Sequence, residues 1–319
     1  MKLVVLERNS VGTDVDVSCF ERFGEVEYYP NTVAENTAER VKDADIVIAN
    51  KAPMNENTLK DAPNVKLICL FATGFDNVDL AYCKSRGIKV ANVVNYSTSA
   101  VVQHTLLLAL ALEEKLVHYD NYVKSGEYGA QDRFSNFDRP FREFEGKTWG
   151  IVGMGNIGRG VAKVAQALGC KVIFYSASGK STCTEYERVE FDALLSQSDI
   201  LSLHCPLSDR TRGLINKDAF SKMKKSVILV NVARGPVVDT QALFEALTQG
   251  QIAAAGLDVL EKEPISRDNP LNEIKDSTKL IITPHLAWAS TEARERLVDE
   301  VVKNIQAFLD GEDRNVVNK

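Results

Sequence analysis

The sequence predicts an α/β fold of two Rossmann-like domains, each a doubly wound parallel sheet. Three observations carry that expectation. A chain of 319 residues is long for a single hydrophobic core, so two domains are expected. Apolar runs of strand length alternate with helical stretches along most of the chain. A Gly-x-Gly-x-x-Gly turn, Gly153, Gly155 and Gly158, sits between one such run and an amphipathic helix.

The first part of the chain reads as a parallel sheet. Lys2–Leu6, Val26–Tyr29, Ile46–Ala49, Leu67–Phe71 and Val90–Asn92 are strand-length apolar runs, with a helical stretch over Ala34–Val41. Two turns follow strand ends and can face a ligand: Asn50-Lys51-Ala52-Pro53 and Ala72-Thr73-Gly74-Phe75. Ser97 or Thr98 can cap a long helix from Ala100 to about Val117. Its apolar character nearly all round predicts burial. His104 within it reads more readily as a packed or hydrogen-bonded core residue than as a catalyst. His118 falls where the helix should end, a place where a cation is favoured. Tyr119–Glu145 is aromatic, charged and weakly periodic. It is expected to be irregular and to cover a partner subunit, or otherwise to act as a flap.

The second part is organised around Thr148–Ser176. A strand runs into the glycine turn, a helix follows with Val161, Val164, Ala165 and Leu168 on one face, Gly169 stops it, and Cys170–Tyr175 is the next strand. This context makes the turn a dinucleotide site. Gly153 allows the tight turn and Gly155 lets a pyrophosphate approach. Gly158 lets helix and strand pack closely, and the helix start at Asn156, Ile157 and Gly158 presents N–H groups and a positive dipole end. An acidic residue is expected at the end of the second strand for the ribose 2′-hydroxyl of NAD. Ser176 stands there instead, followed by Ser178 and Lys180. Those hydroxyls and that ammonium suit a 2′-phosphate as well, so NAD and NADP both stay open. Further strands are expected at Asp199–His204, Ser226–Val232, Ala253–Leu257 and Leu280–Thr283. Helices are expected from Asn216, over Thr240–Gln249, and over Thr291–Leu309 behind a Ser290 cap.

Composition narrows the class. An apolar fraction of 45% and a charged fraction of 26% are ordinary for a soluble domain, and a net charge of −6 with no basic run argues against nucleic acid. Leu106–Leu112 is too short to span a bilayer, and the N-terminus is a strand rather than a leader. The cysteines Cys19, Cys69, Cys83, Cys170, Cys183 and Cys205 are scattered, as reduced thiols of a cytoplasmic protein are. The four histidines are far apart in sequence, and no metal-ligand cluster is expected.

Arg234, Glu263 and His285 each lie just beyond a strand end in the half that carries the glycine turn. Strand ends in a doubly wound sheet share one edge, beside the cofactor. The three suit carbonyl reduction by a nicotinamide. His285 can give the proton, Glu263 can orient its ring, and Arg234 can clamp a carboxylate with paired N–H groups. Taken singly, each has a structural explanation as good: an ion pair for Arg234, a solvated loop for Glu263, a structural ring for His285.

Val232-Ala233-Arg234-Gly235, Leu257-Asp258-Val259-Leu260-Glu261-Lys262-Glu263-Pro264 and Thr283-Pro284-His285 resemble the motifs of the D-isomer-specific 2-hydroxyacid dehydrogenase family. The resemblance runs from Met1 to about Val316. It implies a substrate domain of residues 1–98 plus 287–319, a dinucleotide domain of residues 99–286, and the active site in the cleft between them. It implies Arg234, Glu263 and His285 as the catalytic set, and a homodimer. Ala72, Thr73 and Gly74 would face the substrate carboxylate. Cys205, Pro206, Thr211, Val232, Ala233, Arg234, Asp258 and His285 would line the NAD(P)H site. The departure is Ser176, where members that use NAD commonly carry Asp. Asn50–Pro53, Ala72–Gly74 and His285-Leu286-Ala287-Trp288 are most similar to the glycerate dehydrogenase (hydroxypyruvate reductase) branch. Trp288 would close over a small substrate or pack at an interface, and Lys51 would meet a substrate oxygen or solvent. The expected reaction is reduction of hydroxypyruvate or glyoxylate to the D-2-hydroxy acid. The alternatives are a bulkier or phosphorylated 2-oxo acid and, in another class, a dinucleotide-sensing corepressor-like binding protein.

Overall fold

The computed structural model describes residues 1–319 and divides them into two compact units, Met1–Ser97 with Trp288–Lys319, and Thr98–Ala287. In the first unit the chain forms β1 (Lys2–Val5), β2 (Glu25–Tyr28), α1 (Ala34–Val41), β3 (Ile46–Ala49), α2 (Glu56–Leu59), β4 (Leu67–Leu70), α3 (Leu80–Ser85) and β5 (Lys89–Ala91). The strands pair in parallel in the order β2-β1-β3-β4-β5. Every residue of β3 and β4 is buried, which is why these strands are continuous apolar runs rather than alternating ones. The two turns expected to face a ligand follow strands of this unit: Asn50–Pro53 follows β3, and Ala72–Phe75 follows β4.

The second unit contains α4 (Thr98–Glu113), α5 (Leu116–Lys124), α6 (Glu127–Ala130), β6 (Thr148–Val152), α7 (Asn156–Ala167), β7 (Lys171–Tyr175), β8 (Glu187–Arg188), α8 (Phe191–Gln197), β9 (Ile200–Leu203), α9 (Lys217–Lys222), β10 (Ile228–Asn231), α10 (Thr240–Thr248), β11 (Ala254–Leu257) and β12 (Leu280–Ile282). Its sheet order is β12-β11-β10-β9-β6-β7-β8, parallel throughout. Sequence order reverses between β6 and β9, which puts the ligand-binding crevice of such a sheet at the carboxyl ends of those two strands. Helices cover both faces. Ile228 and Val230 of β10 pack with Leu108 and Leu112 of α4 and Val161 of α7 on one side. Val227 and Leu229 pack with Leu194, Phe220 and Leu243 on the other.

The last helix, α11 (Thr291–Leu309), belongs to the first unit. As expected, Ser290 caps it, its side chain accepting the Ala293 N–H. Val316 then bridges antiparallel to Ala91, covering the β5 edge of the sheet.

Four expectations are corrected. The helix from Ala100 to about Val117 ends at Glu113, because Lys115 takes φ +55° and restarts the chain as α5. His118 therefore lies in the first turn of α5, not at a helix C-terminus. Part of Tyr119–Glu145 is likewise helical, in α5 and α6, and its irregular residues are 125–126 and 131–145. Burial nearly all round α4 also fails, since Leu107 is 51% and Leu110 38% exposed.

Candidate active site

The glycine turn closes the end of β6. Gly153 has φ +95°, and a Cβ there would lie 2.9 Å from the Cys205 nitrogen. A Cβ on Gly158 would lie 2.2 Å from the Gly153 carbonyl oxygen. Only glycine fits either place. Gly155 differs: nothing lies within 4 Å of where its Cβ would be. It opens on a cavity of about 620 Å³ beside the start of α7. That size, the open glycine and the helix N-terminus suit a dinucleotide.

Of the residues expected at a cofactor, Gly153, Gly155, Ser176, Ser178, Lys180, Cys205, Pro206 and Thr211 line this cavity. Asn156, Ile157 and Gly158 form the first turn of α7 beside it. Val232, Ala233, Arg234, Asp258 and His285 stand farther along the same sheet edge, after β10, β11 and β12. Met154, Arg159, Ser181, Thr182, His204 and Arg210 also line the cavity and escaped the sequence reading. Arg159 and Arg210 add cations to Lys180, with Arg159 held at 3.0 Å by Glu185. Ser176 is buried, and its hydroxyl accepts the Ser181 N–H at 3.3 Å, closing the loop in which Gly179 takes φ +72°. Burial pushes the Cys205 thiol up to about 11, so it is an apolar wall and not a thiolate.

His204 follows β9 with its ring against the cavity. Nε2 lies 3.0 Å from the Ser202 hydroxyl, which accepts the Trp149 indole N–H at 2.9 Å, while Nδ1 is buried without a partner. Burial pushes this ring down to about 3, against an ordinary 6.5. The folded chain therefore keeps His204 neutral where the unfolded chain binds a proton. Stability is lost as pH falls through that window, by up to about 1.4 kcal/mol per pH unit. The melting temperature should fall between pH 6.5 and about 5, above the carboxylate range, and His204→Gln should flatten the fall. Equal slopes in both proteins would mean another group is responsible.

Three loops bring Arg234, Glu263 and His285 to the sheet edge. After β10, the Asn231 amide donates to the Arg234 carbonyl at 3.0 Å, and its oxygen accepts the Ala233 N–H at 3.0 Å. Gly235 lets this turn press on the next loop, because a Cβ there would lie 1.9 Å from the Leu260 carbonyl carbon. That next loop carries Glu263. Its Oε1 accepts the Leu260 N–H at 2.9 Å, and its Oε2 lies 2.7 Å from His285 Nδ1. A carboxylate only accepts, so Nδ1 holds a proton and Nε2 is the ring's other working atom. His285 has φ +58°, uncommon for a residue with a side chain. Its backbone N–H donates to the Asp258 carbonyl at 2.9 Å. The Asp258 carboxylate, 1% exposed, accepts the N–H groups of Leu286 at 2.7 Å and Ala287 at 2.8 Å. Asp258 thus holds the His285 loop from behind.

In the other unit, the Glu7 carboxylate collects the N–H groups of Asn50 at 2.6 Å, Lys51 at 2.9 Å and Ala52 at 3.1 Å, and so fixes the turn after β3. Lys51 itself is exposed. The Thr73 hydroxyl donates to the Val93 carbonyl at 2.6 Å, and the Ala72 carbonyl accepts the Val93 N–H at 2.9 Å, which shapes the Ala72–Gly74 turn. Trp288 packs edge-on against Tyr96, ring centroids 6.1 Å apart. No group of three or more His, Cys, Asp or Glu side chains is gathered to hold a metal, and no helix is long and apolar enough to cross a membrane.

Comparison with known proteins finds relatives along the whole chain. Residues 106–287 match the family model described as D-isomer specific 2-hydroxyacid dehydrogenase, NAD binding domain. The chain is 42% identical to a hydroxypyruvate reductase of Blautia hydrogenotrophica, covering 100% of both chains. It is 41% identical to a glycerate dehydrogenase of Methylorubrum extorquens, covering 99% of this chain and 98% of that one. Among solved structures, the D-lactate dehydrogenase of Aquifex aeolicus with NAD and lactic acid superposes with a TM-score of 0.85 at 31% identity, over 98% of this chain and 96% of that one.

Proposed function

The chain belongs to the D-isomer-specific 2-hydroxyacid dehydrogenase family, and we propose that it reduces a small 2-oxo acid, hydroxypyruvate or glyoxylate first, to the D-2-hydroxy acid. The observation that carries this reading is the His285–Glu263 pair at 2.7 Å, on the sheet edge that also bears the glycine turn. A reduced nicotinamide, when bound, supplies hydride to the carbonyl carbon. His285 gives the carbonyl oxygen its proton from Nε2, and Glu263 keeps Nδ1 protonated and stabilises the charged ring. Arg234 holds the substrate carboxylate. We also assign Thr73 and Gly74 to that carboxylate, Lys51 to a substrate oxygen, and Trp288 to the limit on side-chain size. Absorbance loss at the nicotinamide band tests the reading. It should be fastest with hydroxypyruvate or glyoxylate, slower with pyruvate and phenylpyruvate. No loss with any of the four would end it.

Within NAD(P)H we favour NADPH. No carboxylate lines the cavity, while Arg159, Lys180 and Arg210 do, with the Ser176 and Ser178 hydroxyls. Ser176→Asp would set a carboxylate against a 2′-phosphate. It should move the NADPH-to-NADH ratio of kcat/KM towards NADH by about 10²-fold, as close like charges do. An unchanged ratio would place the selection elsewhere.

We further propose a homodimer. Phe134, Phe137 and Phe141 are 90%, 72% and 52% exposed, and Leu107, Leu110 and Leu116 are exposed on α4 and α5. Apolar surface on that scale needs cover. Light scattering should give twice 35.2 kDa, and Phe134→Asp with Phe137→Asp should halve it; a monomeric parent protein would refute this. The six unpaired cysteines fit a cytoplasmic location, which cell fractionation would check.

A further inference from the structure

We propose that His104 is a positioning residue for the reaction, acting on His285 through Thr283 and Asp258; the kinetic part of this inference rests on the role given to His285 above. His104 reaches from α4 to the carboxyl edge of the sheet, with its side chain 14% exposed. Its Nε2 lies 2.9 Å from the Thr283 hydroxyl oxygen and 3.5 Å from Asp258 Oδ1. The Thr283 hydroxyl in turn lies 2.6 Å from Asp258 Oδ1.

Proton counting fixes the direction of this chain. A hydroxyl has one proton. The Asp258 carboxylate can only accept, and at 2.6 Å the Thr283 proton must point to it, or two oxygens would face each other unbridged. Thr283 then has only lone pairs to offer His104. His104 must therefore carry its proton on Nε2 and donate. The donor at the head of the chain sets the hydroxyl, and the hydroxyl sets one oxygen of Asp258. Oδ1 of that carboxylate also receives the Leu286 N–H, and Oδ2 the Ala287 N–H.

The consequence reaches His285 because it sits between these anchors. Thr283 precedes it by two residues, and Leu286 and Ala287 follow it. Its own φ of +58° is one a side chain tolerates only where the surroundings impose it. A buried carboxylate that lost one partner would shift or draw in water, and the two N–H groups on it would move too. A small displacement of a proton donor lowers rate far more than binding. The helix that carries His104 thus supports a loop about 180 residues away, as a wedge behind the acid (Thr283 is 179 residues on).

The test pairs kinetics with a readout independent of turnover. In selectively ¹⁵N-labelled protein, long-range ¹H–¹⁵N correlation should show His104 as the Nε2–H tautomer or as the doubly protonated ring. An Nδ1–H tautomer overturns the proposal whether or not the chain proves to be a 2-oxo-acid reductase. In steady state with the preferred acid, His104→Leu should lower kcat about tenfold, with KM and cofactor Kd within about twofold. His104→Gln, whose amide can donate near the Nε2 position, should recover most of the loss. Thr283→Val keeps the shape of the side chain and removes the relay, so it should match His104→Leu, and the double variant should be no slower than either. Parent-like kcat in Thr283→Val, no recovery in His104→Gln, or additive losses in the double variant would each overturn the proposal. Should His104→Leu fail to fold, Thr283→Val and His104→Gln decide the question without it. An inactive parent protein would instead defeat the functional reading, and the tautomer would still decide this one.

Discussion

His285→Ala should lower kcat by about 10²–10⁴-fold and leave cofactor affinity within a few-fold of the parent protein. Hydride arriving at a carbonyl carbon puts negative charge on its oxygen, and a proton must reach that oxygen. In the proposed reaction His285 supplies it. Its Nδ1 is committed to Glu263 at 2.7 Å, and Glu263 is itself held by the Leu260 N–H at 2.9 Å, so the ring cannot turn end for end without losing that bond. Nε2 is left as the atom that would give and regain the proton, on a side chain 28% exposed. Alanine removes the acid, and water must take its place without the alignment. The cofactor cavity is walled by other residues, among them Gly155, Ser178 and Thr211, which is why binding should survive. Steady-state kinetics with hydroxypyruvate would measure the first effect and nicotinamide fluorescence titration the second. A kcat within threefold or so of the parent would remove His285 from the chemistry, and a parallel loss of cofactor affinity would show that the ring had been supporting the cavity.

What was legible in the sequence was whatever physics writes locally. Ile46–Ala49 and Leu67–Leu70 are buried on both faces, so their apolar runs are unbroken and their strand character is plain. Gly153 and Gly158 are glycine because a Cβ would strike backbone a few residues or one strand away, and that leaves a fixed spacing behind. That Arg234, Glu263 and His285 share one sheet edge could be read because each follows a strand, and parallel strands end on the same edge. What was not legible depends on partners remote in sequence. His104 read as a packed or hydrogen-bonded core residue, and the hydroxyl it meets, Thr283, is 179 residues on and could not be named from the sequence. Glu7 is an acid after a strand until its carboxylate is seen gathering three N–H groups near residue 50. The left-handed Lys115 breaks an apolar helix with no glycine or proline to announce it. The two-residue strand β8, Glu187–Arg188, is polar and exposed, and only its pairing with β7 makes it a strand. Arg159 carries the ordinary signature of a solvated helical arginine, although it lines the cavity.

Arg234→Lys should cost about 10²-fold in kcat/KM, with KM for the acid raised about tenfold or more. The substitution keeps the charge and removes the geometry, so it asks which of the two Arg234 supplies. The backbone at this residue is tightly specified: Asn231 bonds both sides of the turn, and Gly235 presses it against Leu260. The guanidinium is aimed as well, one nitrogen donating to the Ala233 carbonyl at 2.8 Å. A planar fork anchored at one corner can present parallel N–H groups to a carboxylate. A lysine ammonium is a point charge on a flexible stem, and it cannot hold the Ala233 carbonyl and two carboxylate oxygens in one plane. Hydroxypyruvate would bind with its carbonyl swung away from the Nε2 proton of His285, so kcat falls along with affinity. A substrate analogue separates this from a general loss of structure. The parent protein should strongly prefer pyruvate to pyruvamide, whose amide cannot pair with the fork in the same way. Arg234→Lys should narrow that preference, because the variant no longer rewards a carboxylate. If KM for the acid stays where it was and the preference is intact, Arg234 is a buttress for the Leu260–Glu263 loop, and the carboxylate is held elsewhere.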